Sequence, residues 1–299
     1  RRAGKGAHVI TSAVEHHAVL HAVEWLQPLG FEMTVLPVDA HGLVRPEDLR
    51  AAMRPDTVLV SIMYANNEVG TVQPLAQLGA ICREHGVPFH TDAVQAPGSL
   101  PLDVNALNVD LMTIAAHKFY GPKGVGALYV RRGTPLMPLL SGGGQERRLR
   151  AGTENVAGIV GLAAALRRVE DRRSEYAARC AALRDRLVSG VLELVPHTVL
   201  NGHPTMRLPN NASITFDDVE GESVLLLLDQ HGIAASSGSA CTSGSLEASH
   251  VLLALGLPHD RALGAVRFSV GRATADEDVD ALLEVLPGVI AQLRAVAAR

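Results

Sequence analysis

Residues 113–130 read Thr113-Ile-Ala-Ala-His117-Lys118-Phe-Tyr-Gly-Pro-Lys-Gly-Val-Gly-Ala-Leu-Tyr-Val130. An apolar run from Val109 to Ala116 stops abruptly at His117 and Lys118. A Gly-Pro-Lys-Gly turn follows, then a second apolar run from Val125 to Val130. The pattern is strand, loop, strand, with a lysine presented where the first strand ends. A lysine whose backbone is buried and whose amine faces a cleft is partly desolvated and suits Schiff-base chemistry. A solvated lysine beside a turn is the ordinary alternative, so the surroundings of Lys118 decide between the two.

Outward from this stretch, strand and helix signals alternate. Strands are expected at His8–Ser12, Phe31–Val38, Thr57–Met63 and Val87–Thr91, and helices at His16–Leu29, Pro46–Met53 and Pro74–His85. Thr57–Met63 is nearly all apolar, as befits a strand of a parallel sheet covered on both faces. Such a wound α/β domain gathers its chemistry at the carboxyl ends of its strands. Beyond Ser141-Gly-Gly-Gly the pattern changes. Residues 156–194 have the period of one long helix; then come strand Asn211–Phe216, helix Glu222–Gln230, a small-residue loop 235–245, helix Ser249–Leu255, strand Ala265–Val270 and a helix from Asp276 to about Ala298. The division expected is a large α/β domain over 1–172 and a smaller α+β domain over 173–299.

The chain has 299 residues, 47% of them hydrophobic, and 27 basic against 31 acidic side chains. That balance, without a basic block, argues against a nucleic-acid surface. No apolar run approaches the ~20 residues of a membrane span. Three scattered cysteines make neither a disulfide framework nor a zinc site, and a reducing cytoplasm is the expected compartment. The chain opens without Met and enters a strand-like run almost at once, so an N-terminal part is expected to lie outside it.

Polar groups stand at the other strand ends of the first half: Asn66-Asn67-Glu68, Asp92 with Gln95, and Glu15-His16-His17. Singly these are ordinary caps and turns. Together they match what pyridoxal phosphate requires: a lysine, a carboxylate for the ring nitrogen, a donor to the ring oxygen, a flat group on the ring face, and phosphate ligands. Lys118, Asp92, Gln95 and His16 fill the first four roles, and His117 and Thr153 are candidates for the phosphate. Cys82 and Cys180 lie in helical contexts and read as inert thiols. Cys241 lies in a loop of small residues, free to act as a nucleophile. In Ala265-Val-Arg267-Phe-Ser-Val, alternation sets Arg267 on the face opposite Val266, Phe268 and Val270, where it suits a carboxylate.

Five stretches carry a family resemblance: Glu15-His16-His17-Ala-Val-Leu, Asn66-Asn67-Glu68-Val-Gly, His90-Thr-Asp92-Ala-Val-Gln95, His117-Lys118-Phe-Tyr-Gly-Pro-Lys-Gly and Ser236-Ser-Gly-Ser-Ala-Cys241-Thr-Ser-Gly-Ser-Leu-Glu. They resemble the cysteine desulfurases, in the nitrogen-fixation and iron–sulfur-assembly branch. The resemblance implies a homodimer of the fold-type-I pyridoxal-phosphate transferases. It implies conversion of L-cysteine to L-alanine, with sulfur passing to an enzyme persulfide and then to an acceptor such as an iron–sulfur scaffold. By motif, Lys118 carries the cofactor and Asp92 meets its ring nitrogen. Gln95 and Asn67 hold the ring oxygen and the substrate side, and His16 stacks and moves protons. Arg267 takes the substrate carboxylate, Cys241 bears the persulfide, and Thr153 reaches the neighbouring subunit's phosphate. Two departures predict weakened phosphate binding: a Gly-Ala-Thr turn of the family is not in the sequence, and Ala115 stands where relatives often carry serine. Rival readings are a selenocysteine lyase or class-V aminotransferase of the same fold, and a catalytically silent dimerising module.

Overall fold

The computed structural model describes residues 6–237 and 247–297. Its first sheet is built from β1 (His8–Ser12), β2 (Glu32–Leu36), β3 (Thr57–Ser61), β4 (Phe89–Asp92), β5 (Leu111–Ala115) and β6 (Gly126–Val130). The strand order is β2-β1-β3-β4-β5-β6. All neighbours are parallel except β5 and β6, which the 121–125 turn reverses into an antiparallel pair. From β1 the chain moves first to β2 and then to β3 on the opposite side. The crevice between β1 and β3 is therefore the topological switch point, where wound sheets bind their ligands.

Helices α1 (His17–Leu26), α2 (Pro46–Ala52) and α3 (Leu75–Glu84) connect these strands. Ile10, Val60 and Phe89 from the sheet meet Leu49, Leu75 and Leu78 from the helices in one core, each almost wholly buried. His90 is held inside the sheet, with Nδ1 at 2.8 Å from Ser61 Oγ and Nε2 at 2.9 Å from Thr113 Oγ1. Burial pushes its imidazole down to about 4, so it ties β3, β4 and β5 as a neutral group.

The second sheet is antiparallel, in the order β7 (Thr198–Leu200), β8 (Asn211–Phe216), β10 (Ala265–Ser269), β9 (Ser236–Ser237). One face is covered by α6 (Arg173–Leu194), α7 (Gly221–Gln230) and α10 (Asp276–Ala297) around Phe216, Leu228 and Leu286. A third core joins the two sheets: Val14, Met63 and Val69 meet Val251 and Leu252 of α8 (His250–Ala254) and Ala262 of α9 (His259–Leu263). No helix among the described residues is long and apolar enough to cross a membrane.

Several elements differ from the sequence expectation. Residues 156–194 are two helices, α5 (Val156–Asp171) and α6, broken at Arg172 (φ −114°, ψ 11°). No glycine or proline causes the break. The partners do: α5 lies on Ala116 and Phe119 of the first sheet's turn, whereas α6 lies on the second sheet's core. A single rod cannot follow both layers. The helix expected over 16–29 ends at Leu26, because Pro28 enters a tighter turn that Gly30 closes at φ +81°. A short turn, α4 (Gln145–Arg148), has Glu146 and Arg147 at positive φ. The strands β7 and β9 and helix α9 are too short for their period to register in the sequence.

Lys118 is not on the strand end itself. β5 stops at Ala115, and residues 116–119 form a 3-10 turn closed by Tyr120 at φ +66°. Ala116 and Phe119 face inward against Leu162, so His117 and Lys118 must face out. Phe119→Ala should therefore lower stability by about 3–5 kcal/mol. Thermal denaturation checks this, and the turn that presents Lys118 should loosen with it.

Candidate active site

Each strand of the switch-point region ends in a polar group on the same side of the sheet. After β1, Glu15 is wholly buried; its Oε1 receives the Ser12 hydroxyl at 2.6 Å and the Met63 amide at 2.8 Å. One carboxyl oxygen thus joins the ends of β1 and β3. Burial pushes Glu15 up to about 8 against those two hydrogen bonds, and the Asp92 charge adds to the rise. Next to it His16 is the N-cap of α1, its Nδ1 accepting the Ala18 amide at 3.1 Å. Burial lowers the His16 imidazole, while Asp92 pulls it the other way.

After β3, Asn66 builds a tight turn. Its Oδ1 accepts the amides of Glu68 and Val69 at 2.8 and 2.9 Å, and its Nδ2 reaches the Val14 carbonyl at 2.8 Å. Gly70, at φ +80°, completes the turn; a Cβ there would stand 2.8 Å from Asn211 Oδ1. Asn67 gives its carbonyl to Arg267 Nη1 at 2.8 Å, so this turn receives the arginine of the second sheet. On β10, Val266 and Phe268 are buried and Arg267 lies on the opposite face, as the alternation predicts.

At the end of β4, Asp92 Oδ1 accepts the Val94 amide at 2.9 Å. Burial raises its carboxyl, opposed by that bond and by the charges of His16 and Lys118. His16, Asp92 and Lys118 thus feel one another. Gln95 and Lys118 line the same cleft, of about 640 Å³, together with Tyr120, Tyr176 and Arg272. Arg272 lies 4.4 Å over the Tyr120 ring.

The expected desolvation of Lys118 is not found in the single protomer: its side chain is exposed, because the 3-10 turn lifts it off the buried strand. His117 is exposed beside it, and Thr153 is exposed in the loop between α4 and α5. Among the described residues, no hydrogen bond joins Thr153 to the Lys118 cluster. Ala115 is the last residue of β5, paired with Gly126. Cys82 and Cys180 are buried free thiols, and burial pushes Cys82 up to about 12. Cys241 lies outside the described residues. Sequence reasoning quoted Glu15 and Glu68 only as motif letters and missed their burial; an acid in a turn reads as solvated, and no local signal says otherwise.

The arrangement matches known proteins along its whole length. The family model Aminotransferase class-V matches residues 1–282. The "Cysteine desulfurase IscS" of Methanosarcina thermophila is 56% identical over 290 residues, covering 97% of this chain and 72% of that protein. A solved structure described as "NIFS-LIKE PROTEIN" superposes with a TM-score of 0.89 at 39% identity, over 97% of this chain and 76% of the other. Another, "SspA in complex with cysteine", gives 0.76 at 35% identity, over 90% and 75%. The chain belongs to the class-V aminotransferases and, within them, to the cysteine desulfurases. Its fold is that of the fold-type-I pyridoxal-phosphate enzymes.

Glu15 carries a pH prediction. Its value rises from about 4.5 to about 8 on folding, so between those limits the native state holds a proton that the unfolded chain releases. Its contribution to stability is full below 4.5 and declines as pH climbs through 8. Glu15→Gln keeps the acceptor for Ser12 and Met63 but cannot ionise. Melting temperatures of the variant should fall less than those of the native chain over this window; parallel curves would refute the assignment.

Proposed function

We propose that this chain is a pyridoxal-phosphate-dependent cysteine desulfurase that converts L-cysteine to L-alanine and passes the sulfur to Cys241. The observation that carries the reading is the electrostatic coupling of His16 and Lys118 to the buried Asp92, with Gln95 in the cleft of Lys118 and Arg267 of the second sheet held by the Asn67 carbonyl. The donor set suits the cofactor. Asp92 has one oxygen fixed by Val94 and feels both the His16 imidazole and the Lys118 amine. A group with a protonated ring nitrogen and an aldehyde for an amine fits those three.

When bound, the cofactor withdraws electrons from the substrate's α-carbon and makes its proton acidic. Asp92 would keep the ring nitrogen protonated, His16 would cover the ring, and Gln95 would donate to the ring oxygen. Lys118 would hold the cofactor through its amine and would serve as the base that removes the α-proton. Arg267, aimed by the Asn67 carbonyl, takes the substrate carboxylate as a planar fork. Asn67 lies on the substrate side, and His16 moves protons near the substrate thiol. The Cys241 thiolate attacks the substrate sulfur; a sulfur–sulfur bond forms as the carbon–sulfur bond breaks, and the β-carbon keeps that electron pair and takes a proton to become the methyl group of alanine. The burial of Cys82 and Cys180 leaves Cys241 as the thiol suited to this task.

His117 and, from a neighbouring subunit, Thr153 are assigned to the phosphate. A homodimer is supported by the apolar side chains exposed on one protomer around β6 and α5: Leu128, Met137, Leu139, Val156 and Val160. The division at 172/173 is supported by the separate packing of α5 and α6. An acceptor protein, such as an iron–sulfur scaffold in the cytoplasm, takes the sulfur onward.

Four variants separate the roles. Borohydride reduction of the holoenzyme should leave a pyridoxyl-phosphate adduct on Lys118, detected by peptide mass, and Lys118→Ala should leave none. Cys241→Ser should abolish persulfide formation, yet its cofactor spectrum should still change on adding L-cysteine. Cys82→Ser and Cys180→Ser should keep most turnover; loss of turnover in either, with the fold intact, would displace Cys241 as the nucleophile.

A further inference from the structure

Glu68 is a buried acid that the reaction above does not use. It follows Asn66 and Asn67 in the turn after β3, only 5% exposed. Its backbone is fixed on both sides: the Asn66 side chain holds its amide, and Asn211 Nδ2 donates to its carbonyl at 3.1 Å. Its side chain is fixed as well. Oε2 receives the hydroxyl of Ser249, itself buried, which caps α8 by accepting the Leu252 amide at 3.3 Å. The preceding residue, Asn67, holds Arg267 by its carbonyl. Two groups influence the Glu68 carboxyl besides burial: Ser249 from α8 and the positive Arg267 from β10. His250, next to Ser249, turns instead to the Glu15 carbonyl at 3.0 Å.

We propose that Glu68 is a positioning residue that sets how strongly Arg267 holds the substrate carboxylate, by competing for the guanidinium with its own charge while its bond to Ser249 fixes α8 alongside. The inference rests on the reading of Arg267 as the carboxylate site. An ionised Glu68 offsets part of the arginine's charge before substrate arrives, and a protonated Glu68 leaves more of it to the substrate. Burial holds the Glu68 carboxyl up at about 7, with Ser249 and Arg267 pulling it down, so the change falls near neutral pH. Carboxylate ligands should therefore bind more tightly below neutrality than above it. Charge and hydrogen bond are separable, since glutamine keeps an acceptor for Ser249 and loses the charge.

The test is calorimetric binding of L-alanine, which has no thiol to titrate, to the holoenzyme at pH 6, 7 and 8. Native binding should weaken by about fivefold across the range, an ordinary size for coupling between two sites. Glu68→Gln should stay near the native pH 6 value throughout. Ser249→Ala should keep the pH dependence but move its midpoint upward, because the Ser249 hydroxyl pulls the Glu68 value down. That second variant serves if Glu68→Gln fails to fold. A Glu68→Gln curve parallel to the native one, or an unmoved midpoint in Ser249→Ala, overturns the proposal. Arg267→Ala distinguishes the two levels. If it binds L-alanine as the native protein does, the carboxylate reading of Arg267 is wrong. If it loses binding while Glu68→Gln still tracks the native curve, only the role of Glu68 is wrong.

Discussion

A single buried carboxyl oxygen joins the two halves of the switch point. Glu15 Oε1 takes a hydroxyl from the end of β1 and an amide from just beyond β3. The pairing of these two strands ends at Thr11 and Ser61, and the shared oxygen links the segments that follow them. The loop bearing His16 and the turn bearing Asn67 are both held there, because Asn66 Nδ2 closes the same gap through the Val14 carbonyl. Burying a carboxyl costs free energy unless its partners are well placed. Here it stays protonated well above the ordinary range, which lowers that cost.

The same burial acts on five titratable groups around the cleft floor, each time in the direction of neutrality. Glu15, Glu68 and Asp92 are raised, and His16 and His250 are lowered. Burial thus favours the neutral form of each of these groups. Glu15 and Glu68, raised to about 8 and about 7, are placed to take up or release protons when a charged ligand enters.

How much of this was legible in the sequence depended on the range of the interaction. Strand and helix periods are local, so β1, β3, β5 and the cap at His16 could be read from neighbours alone, as could the face of Arg267. The convergence of four strand ends followed from the wound topology, which places all carboxyl ends on one side. Burial of polar groups was not legible. Glu68 looks like a turn residue until Ser249, 181 positions later, covers it. The break at Arg172 was hidden for the same reason, because what stops the helix is a change of packing partner and not a residue with poor helix propensity. The exposure of Lys118 came from a one-turn 3-10 segment whose length is below what a period can reveal.

Those separations impose an order on the birth of the molecule. Asn67 meets Asn211 across 144 residues and Arg267 across 200. Ribosomes add about 5–20 residues per second, so some 10–40 s pass between the emergence of Asn67 and that of Arg267. During that interval the first sheet can assemble from its sequential strands, while the turn that will receive the arginine has no partner. Closing a loop of that length costs little more entropy than closing a shorter one. The delay is therefore set by synthesis, and the nascent chain passes through a stage with a lysine-bearing sheet whose Asn67 carbonyl still awaits Arg267.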